Sequence, residues 1–455
     1  MTKTRFQSYP ETKDSSIEWL GQIPVHWEAV RLRYLAAINP TKSEVAGLAS
    51  DTEVSFVPMP KVSETGELVL DEEKELDQVF NGYTYFRNAD VLLAKITPCF
   101  ENGKAAVAEG LTNGLGFGST EFHVLRPQPA CDKRFLYYAV YCDPFRRIGT
   151  TYMTGAAGQQ RVPEQFVLDW RQPVPDLTEQ QSIADFLDRE TAKIDALVEK
   201  KEQLIELLQE KRTALITHAV TEGLDPDDPM KDSGIEWLGE IPAHWAETRL
   251  GWSVQVNGGH TPDTGELRYW DGEIPWVTPK DMKRRAITDS LDHVSEAALS
   301  ETGLRLLATG SVLIVVRGMI LAHTFPVAVL LASATINQDM KALLPTDGLE
   351  SDYLAYLLEG ISEFILSLVE ESAHGTRRLQ TELWKRIQLF LPPTTEQTTI
   401  IEHLDLETAR IDALIAKVGQ AIERLKEYRT ALISAAVTGK IDVRGIERQE
   451  VESFR

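Results

Sequence analysis

Cysteine is scarce in this sequence. Three residues in 455, Cys99, Cys131 and Cys142, lie within 44 positions, and none belongs to a Cys-x-x-Cys pair. So sparse and odd a set excludes a disulfide framework or a cysteine zinc site and reads as reduced thiols in a cytoplasmic protein. Positive charge is short too: 47 Lys+Arg stand against 69 Asp+Glu, a formal net charge of −22. Nucleic-acid binding through bulk positive charge is thereby disfavoured, although a surface responds to its local charge more than to the total. No apolar run spans a membrane. The most apolar stretch, VLIVVRGMILAHTFPVAVLLASATI, is broken by Arg317, His323 and Pro326 and suits strand-rich core. The N-terminal MTKTRFQSYPETKDSS has no apolar h-region, so no secretory signal is expected.

Motifs that carry bond chemistry are missing as well. Gly103-Lys104 has Pro98 where the first P-loop glycine belongs. There is no HExxH and no GxSxG, and the nine histidines show no metal-ligand spacing, so no metal is expected. No NPPY- or DPPF-type tetrapeptide, by which amino-methyltransferases grip a flipped base, is present. GLGFG (114–118) lacks the flanking strand and helix of a cofactor loop, and a β-turn before the strand GSTEFHVLRP is expected there. Asp263, Glu266 and Arg268 sit in a turn-like context without a nuclease lysine. Neither catalysis nor a cofactor is expected of this chain.

What is there is a repeat. DSSIEWLGQIPVHW from Asp14 returns as DSGIEWLGEIPAHW from Asp232, and ETAKIDALV from Glu190 as ETARIDALI from Glu407. KRTALITHAVTEG from Lys211 matches YRTALISAAVTGK from Tyr428, and GQQRV from Gly158 matches GTRRL from Gly375. The offset is 217 or 218 in all of these matches and holds along nearly the whole chain, so the chain is two copies of one unit. The middles, 28–157 and 246–374, share only scattered similarity such as DVLLAKI against SVLIVVR. Edges held alike around divergent interiors suit a duplication whose central domains read different things; uniform drift would blur both.

Each copy ends in a long amphipathic segment. No Gly or Pro occurs from Thr178 to Thr221, and Leu187, Ile194, Lys201, Leu208 and Leu215 share one heptad position with Leu197 and Leu204 at its partner and Val198 and Ile205 widening the stripe. The second copy gives Leu404, Ile411, Val418, Leu425 and Leu432, faced by Leu414 and Ala421. Thr178 and Thr395 are the expected N-caps, and Gly223 and Gly439 the stops. About 44 residues at ~1.5 Å each make a rod of roughly 65 Å that needs a partner in water. Pairing of the two rods as an antiparallel coiled coil is expected; separate packing on each rod's own domain is the alternative. Strands are expected at SFVPMPKV, DVLLAKI, EFHVLRP, WVTPKDM, SVLIVVRG and MKALLP, with one helix over 348–371. The fold class is α+β: two globular domains separated by a long antiparallel two-helix coiled coil, with an internal pseudo-two-fold repeat. The boundaries read are 1–176 (first domain), 177–222 (helix), 223–231 (linker), 232–391 (second domain), 392–439 (helix) and 440–455 (tail).

Binding features remain. The loop NGGHTPDTGE (257–266) offers His260 and Thr261 among glycines, and WVTPKDMKRRAI adds Lys280, Lys283, Arg284 and Arg285 against Asp281. Arg317 follows a strand, and HGTRRL supplies His374, Thr376, Arg377 and Arg378. The first-copy analogues are Lys95, Thr97, Asn102, Lys104, Gln159, Gln160 and Arg161. The arginine fork matches guanine O6 and N7, and glutamine can pair bidentately with adenine.

SGIEWLGEIPAHW, GSTEFHVLRP, GQQRV and TEQQSIADFLDRETAKIDALVEKKEQLIELLQEKRTALITHAVTEGL together resemble the specificity subunit of type I restriction-modification systems, over essentially the whole chain. The resemblance implies two target recognition domains, each reading one half of a split double-stranded DNA site. It also implies long helices that space them and dock two DNA methyltransferase (modification) subunits, to which restriction/translocase subunits can add. S-adenosylmethionine would sit on the methyltransferase subunits, and ATP and Mg on a restriction subunit; no membrane is involved. A duplicated coiled-coil scaffold without DNA specificity and a stand-alone enzyme are the competing classes. Exchanging residues 246–374 for those of a relative should change one half of the recognised sequence, and methylation mapping that shows both halves altered would contradict independent reading.

Overall fold

The computed structural model describes residues 6–156, 158–371 and 375–444. The chain forms two compact units, Met1–Lys201 with Gln420–Arg455, and Glu202–Gly419. Both mix helix and strand.

The first unit holds β1 (Ala36–Ile38), β2 (Glu53–Val57), β3 (Glu73–Glu75), β4 (Thr84–Arg87), β5 (Val91–Ala94), β6 (Ala105–Val107), β7 (Leu115–Gly118) and β8 (Phe122–Pro127). They make two sheets, ordered β3-β2-β7-β4 and β1-β8-β5-β6. Successive strand side chains point to opposite faces, and that alternation builds the layers. Val91 and Leu93 of β5 join one core, while Leu92 between them joins another with Val57, Phe86, Phe122 and Val124. Helix α1 (Lys133–Tyr141) covers the first of these cores with Phe135, Leu136 and Val140, and α2 (Asp143–Thr151) adds Phe145. The Asp132 carboxylate caps α1, accepting from the N–H groups of Arg134 (2.9 Å) and Phe135 (3.0 Å).

The GLGFG segment departs from expectation. Its last four residues form β7, which runs parallel to β2 and antiparallel to β4; the turn is confined to Thr112–Gly114. The glycines serve close packing. A Cβ on Gly118 would lie 2.1 Å from the Val57 carbonyl oxygen, and one on Gly116 would lie 2.2 Å from the Phe86 ring.

The second unit holds β9 (Val254–Gly258), β10 (Ile274–Val277), β11 (Ala286–Ile287), β12 (Asp292–Val294), β13 (Val312–Val315), β14 (Val327–Leu330), β15 (Thr335–Ile336) and β16 (Met340–Pro345). Their sheets run β9-β16-β13-β14-β11 and β12-β10-β15. The all-apolar β13 is buried at every position, as a central strand covered on both faces must be. The long helix α3 (Leu177–Thr221) starts in the first unit and ends in this one. The single helix expected over 348–371 is instead α4 (Ser351–Gly360) and α5 (Ser362–Ser367), followed by β17 (Val369–Glu371), which pairs with β18 (Arg377–Leu379). The break has a local cause: the Thr217 hydroxyl of α3 donates to the Gly360 carbonyl (2.8 Å), and a Cβ on Gly360 would meet Val220 at 2.6 Å.

The last helix, α6 (Thr394–Val437), starts in the second unit and ends in the first. Each unit by itself holds an antiparallel contact between α3 and α6. In the first, Glu179 near the start of α3 meets Arg444 beyond the end of α6 (3.7 Å), and Asp195 further along meets Arg429 further back (3.0 Å). In the second, Arg212 meets Asp412 (3.1 Å), and Gly223 lies beside Glu396. Leu187, Ile194, Leu208, Leu404, Ile411, Val418 and Leu432 are buried, with Leu215 and Leu425 half-buried. Leu197, Leu204 and Leu414 are 43%, 40% and 44% exposed, which corrects their placement on the seam. The covered second row lies four residues on from the first, at Thr191, Val198, Ile205 and Arg212, and at Thr408, Ile415, Ile422 and Arg429. The expected caps shift as well. The Asp176 carboxylate, not Thr178, accepts from the Glu179 N–H (2.9 Å), and α6 starts at Thr394 rather than after Thr395. Gly223 and Gly439 stop the helices at φ +80° and +71°.

Gly118→Ala should destabilise the first unit by about 3 kcal/mol, because its clash is with backbone. Gly47→Ala, where a Cβ meets nothing within 4 Å, should leave the urea midpoint nearly unchanged.

Candidate nucleic-acid interface

In the first unit, the chain leaves β5 through the segment 95–104, and the segment 154–162 returns beside it. The Thr97 N–H donates to the Gln160 carbonyl (2.9 Å), the Val162 N–H donates to the Lys95 carbonyl (2.8 Å), and Ile96 bridges Arg161. In the second unit, the chain leaves β13 through Val316–Gly318, and β18 returns. There the Gly318 N–H donates to the Arg377 carbonyl (3.0 Å), the Leu379 N–H donates to the Val316 carbonyl (2.9 Å), and Arg317 bridges Arg378. The three contacts are the same. Gln160-Arg161 therefore hold the same place in their unit as Arg377-Arg378 in theirs, as they do in sequence, while Thr97 is the counterpart of Gly318.

The side chains on this shared frame differ. In the first unit, Gln159 and Gln160 are exposed and Lys95 and Lys104 half-buried. The Thr97 hydroxyl donates to Glu101 (2.9 Å), and the Asn102 amide donates to Glu64 (2.8 Å). Arg161 forks onto the Glu121 carboxylate at 2.8 and 2.7 Å. That paired hydrogen bond holds the Glu121 carboxyl below the ordinary carboxylate range. Arg161 is thus committed to its own domain, and the exposed glutamines are what this face offers outward.

In the second unit, the turn Ile336–Asp339 holds three of the candidates, His260, Thr261 and Arg317. The Ile336 carbonyl accepts from the His260 N–H (3.0 Å), the Gln338 side chain accepts from the Thr261 hydroxyl, and the Asp339 carbonyl accepts from the Arg317 N–H (3.2 Å). The Asn337 N–H donates to the Val277 carbonyl (3.1 Å), which ties in the end of β10 and the exposed Lys280, Lys283 and Arg284 beyond it. Gly259 lets the strand approach this turn; a Cβ there would stand 1.8 Å from the Asn337 oxygen. Arg317 and Arg378 are exposed and form no ion pair among the described residues. Arg377 reaches Glu371 (3.2 Å), and Thr376 is half-buried. His374 lies outside the described residues.

Arg285 is a correction. Its guanidinium packs 3.1 Å from the centre of the Tyr356 ring and donates to the Asp352 carbonyl (2.8 Å). It is spent on α4, and the outward cations of this segment are Lys280, Lys283 and Arg284. Asp281 is equally occupied, since its carboxylate accepts from the Thr278 N–H (2.8 Å) and the Leu291 N–H (3.0 Å). Glu121 was missed from sequence, as was the gathering turn. The repeat offset that aligns Glu121 with Asp339 was the signal that could have found both.

A family model described as the type I restriction modification DNA specificity domain matches the chain twice, at residues 24–207 and 242–424. Those spans exceed half of the chain. This chain belongs to that family. Both matches end inside the long helices α3 and α6. It is 42% identical over 164 residues to the type I restriction enzyme EcoEI specificity subunit of Escherichia coli, a match spanning 36% of this chain and 27% of that relative. With the EcoR124I/EcoR124II specificity subunit of Escherichia coli it shares 30% over 202 residues, 44% of this chain and 46% of the relative. These matches thus span less than half of either relative. Among solved structures, a chain in a type I restriction-modification assembly superposes with TM-score 0.69 at 22% identity, covering 92% of this chain and 99% of that one. The HsdS subunit from Thermoanaerobacter tengcongensis gives TM-score 0.53 at 19% identity, covering 92% and 98%. At those identities the likeness is one of fold. Among the described residues, no helix is long and apolar enough to cross a membrane.

Because Arg161 lowers the Glu121 pKa in the folded state, the pair's stabilisation is present above the unfolded carboxyl pKa and lost as pH falls through the folded one. The stability gap between the parent and Glu121→Gln should therefore be open at pH 6 and close in strong acid, as read by urea unfolding at both pH values.

Proposed function

We propose that this chain is the DNA sequence-recognition subunit of a type I restriction-modification complex. The observation that carries the reading is the one backbone frame built twice and dressed differently. Glutamines stand on it in the first unit, and exposed arginines with Lys280, Lys283 and Arg284 stand on or beside it in the second. A frame held constant while its outward side chains change is what two readers of two different half-sites need. Arg317, Arg377 and Arg378 suit guanine edges and phosphates, and Gln159 and Gln160 suit adenine. The target recognition domains are 1–176 and 232–391. The helices 177–222 and 392–439 space them and dock two modification methyltransferase subunits, with restriction subunits joining that core.

In this reading the chain itself carries out no chemistry and holds no cofactor of the reaction. The partners bring S-adenosylmethionine, ATP and Mg, and the complex works in the cytoplasm. The charge of −22 asks the partners to neutralise much of the DNA phosphate. A duplicated scaffold without DNA specificity would have no use for exposed arginines on the repeated frame.

A gel shift on duplex DNA, with and without a co-expressed modification subunit, tests the assignment: sequence-dependent binding by the complex supports it, and none by either sample rejects it. In that complex, replacing Arg377 and Arg378 with Ala should lower affinity and reduce the slope of log K against log salt by about 2, close to one for each lost phosphate contact. Assembly with the methyltransferase, followed by size-exclusion chromatography, should be unchanged. Unaltered affinity at moderate salt would remove these arginines from the interface.

A further inference from the structure

Glu179 and Glu396 occupy the same place in the repeat, in the first turn of α3 and of α6. In the first unit Glu179 is well supplied. His26 Nε2 lies 2.8 Å from Oε2, the Tyr9 hydroxyl donates to Oε1 (2.7 Å), and the Arg444 guanidinium stands 3.7 Å away. In the second unit the histidine contact is kept, with His244 Nε2 at 2.7 Å from Glu396 Oε2, and Trp245 Nε1 donates to Oε1 (3.0 Å). The other two partners are not kept. The offset of 217 sets Asp227 where the first unit has Arg444, and the offset of 218 sets Asp227 where it has Tyr9. The connector between the repeats thus stands in for both segments, and it carries Asp227 and Asp228 rather than a cation and a hydroxyl.

The result is a site with the charge reversed. One ligand atom from each of Asp228, His244 and Glu396 lies within 4.8 Å of the others. No ion pair to a lysine or arginine reaches Asp228 or Glu396 among the described residues. Lys231 on the neighbouring strand spends its ammonium on the Ala243 (2.9 Å) and Trp245 (3.0 Å) carbonyls. Two carboxylates and a neutral imidazole carry a charge of about −2, the complement of a divalent ion, and an imidazole favours zinc-like metals over calcium or magnesium. Zinc holds such atoms at about 2.0–2.2 Å, and half-exposed side chains can rotate to close that distance with water completing the shell. Sequence spacing could not show the site, because its ligands are far apart along the chain.

We propose that Asp228, His244 and Glu396 bind one divalent transition-metal ion of the zinc type. The ion pins the connector to the start of α6, doing in the second unit what Arg444 does in the first. The test uses the full chain stripped with chelator and titrated with zinc by calorimetry and thermal unfolding, with cobalt absorption reporting the ligand field. One ion should bind per chain and raise Tm. Asp228→Asn and His244→Gln should each weaken binding by about tenfold or more, since loss of even an outer-shell partner of a metal costs that much. The Asp228 side chain makes no hydrogen bond among the described residues, so Asp228→Asn probes the site without unfolding the domain. No zinc binding at micromolar concentration, or binding unchanged in both variants, overturns the proposal.

Discussion

The antiparallel contact between α3 and α6 inside each unit is the constraint on which the rest depends. Each helix buries one row of aliphatic residues and a second row four positions on, and each places an arginine in that second row. Arg429 is 8% exposed and donates to the Tyr141 hydroxyl (2.8 Å), the Thr65 carbonyl (3.1 Å) and Asp195. Arg212 reaches Asp412 and Glu359. A guanidinium so enclosed must be fully paired, because an unpaired buried charge is strongly destabilising. The helix pair and the globular domain therefore share one polar junction in each copy, and the helices cannot turn about their axes without breaking it.

Much of this was legible in the sequence. The repeat offset, the two rods and their glycine stops, and the strands at β5, β8, β13 and β16 all follow from periodicity and turn chemistry. What was not legible depends on tertiary neighbours. GLGFG looked like a turn because glycine is a turn residue, but two of its glycines are there for want of a Cβ against Val57 and Phe86. The helix over 348–371 broke because Thr217, far away in sequence, captures the Gly360 carbonyl. Leu197, Leu204 and Leu414 looked like seam because a three-residue step is the usual partner spacing; here the covered step is the four-residue one, of which only Val198 and Ile205 stood out in the sequence, as a widening of the stripe. Arg212 and Arg429 hid in that row, since charge in a sequence reads as surface.

The candidate interface was legible as a set and illegible in its details. Matched positions predicted that Gln160-Arg161 and Arg377-Arg378 play one geometric part, and the backbone contacts agree. Whether a given cation faces outward was beyond reach. Arg161 is held by Glu121 and Arg285 by Tyr356, neither of them a sequence neighbour. Backbone geometry has been kept through the duplication while the side chains diverged, which is economical: hydrogen bonds between main-chain groups hold the frame whatever residues it displays.

The split composition of the first unit also bears on how the chain is made. Its core needs Leu432, Ile433, Ala436 and Val437, the Gln172 amide donates to the Val437 carbonyl (2.7 Å), and Lys440 donates to the Leu20 carbonyl (3.0 Å). Those partners leave the ribosome after the whole of the second unit, Glu202–Gly419. At about 5–20 residues per second, the domain synthesised first waits on the order of tens of seconds without that part of its core, while the second unit emerges and can close. Translation order and completion order are thus reversed in this protein: the unit begun first is finished only after the unit begun second.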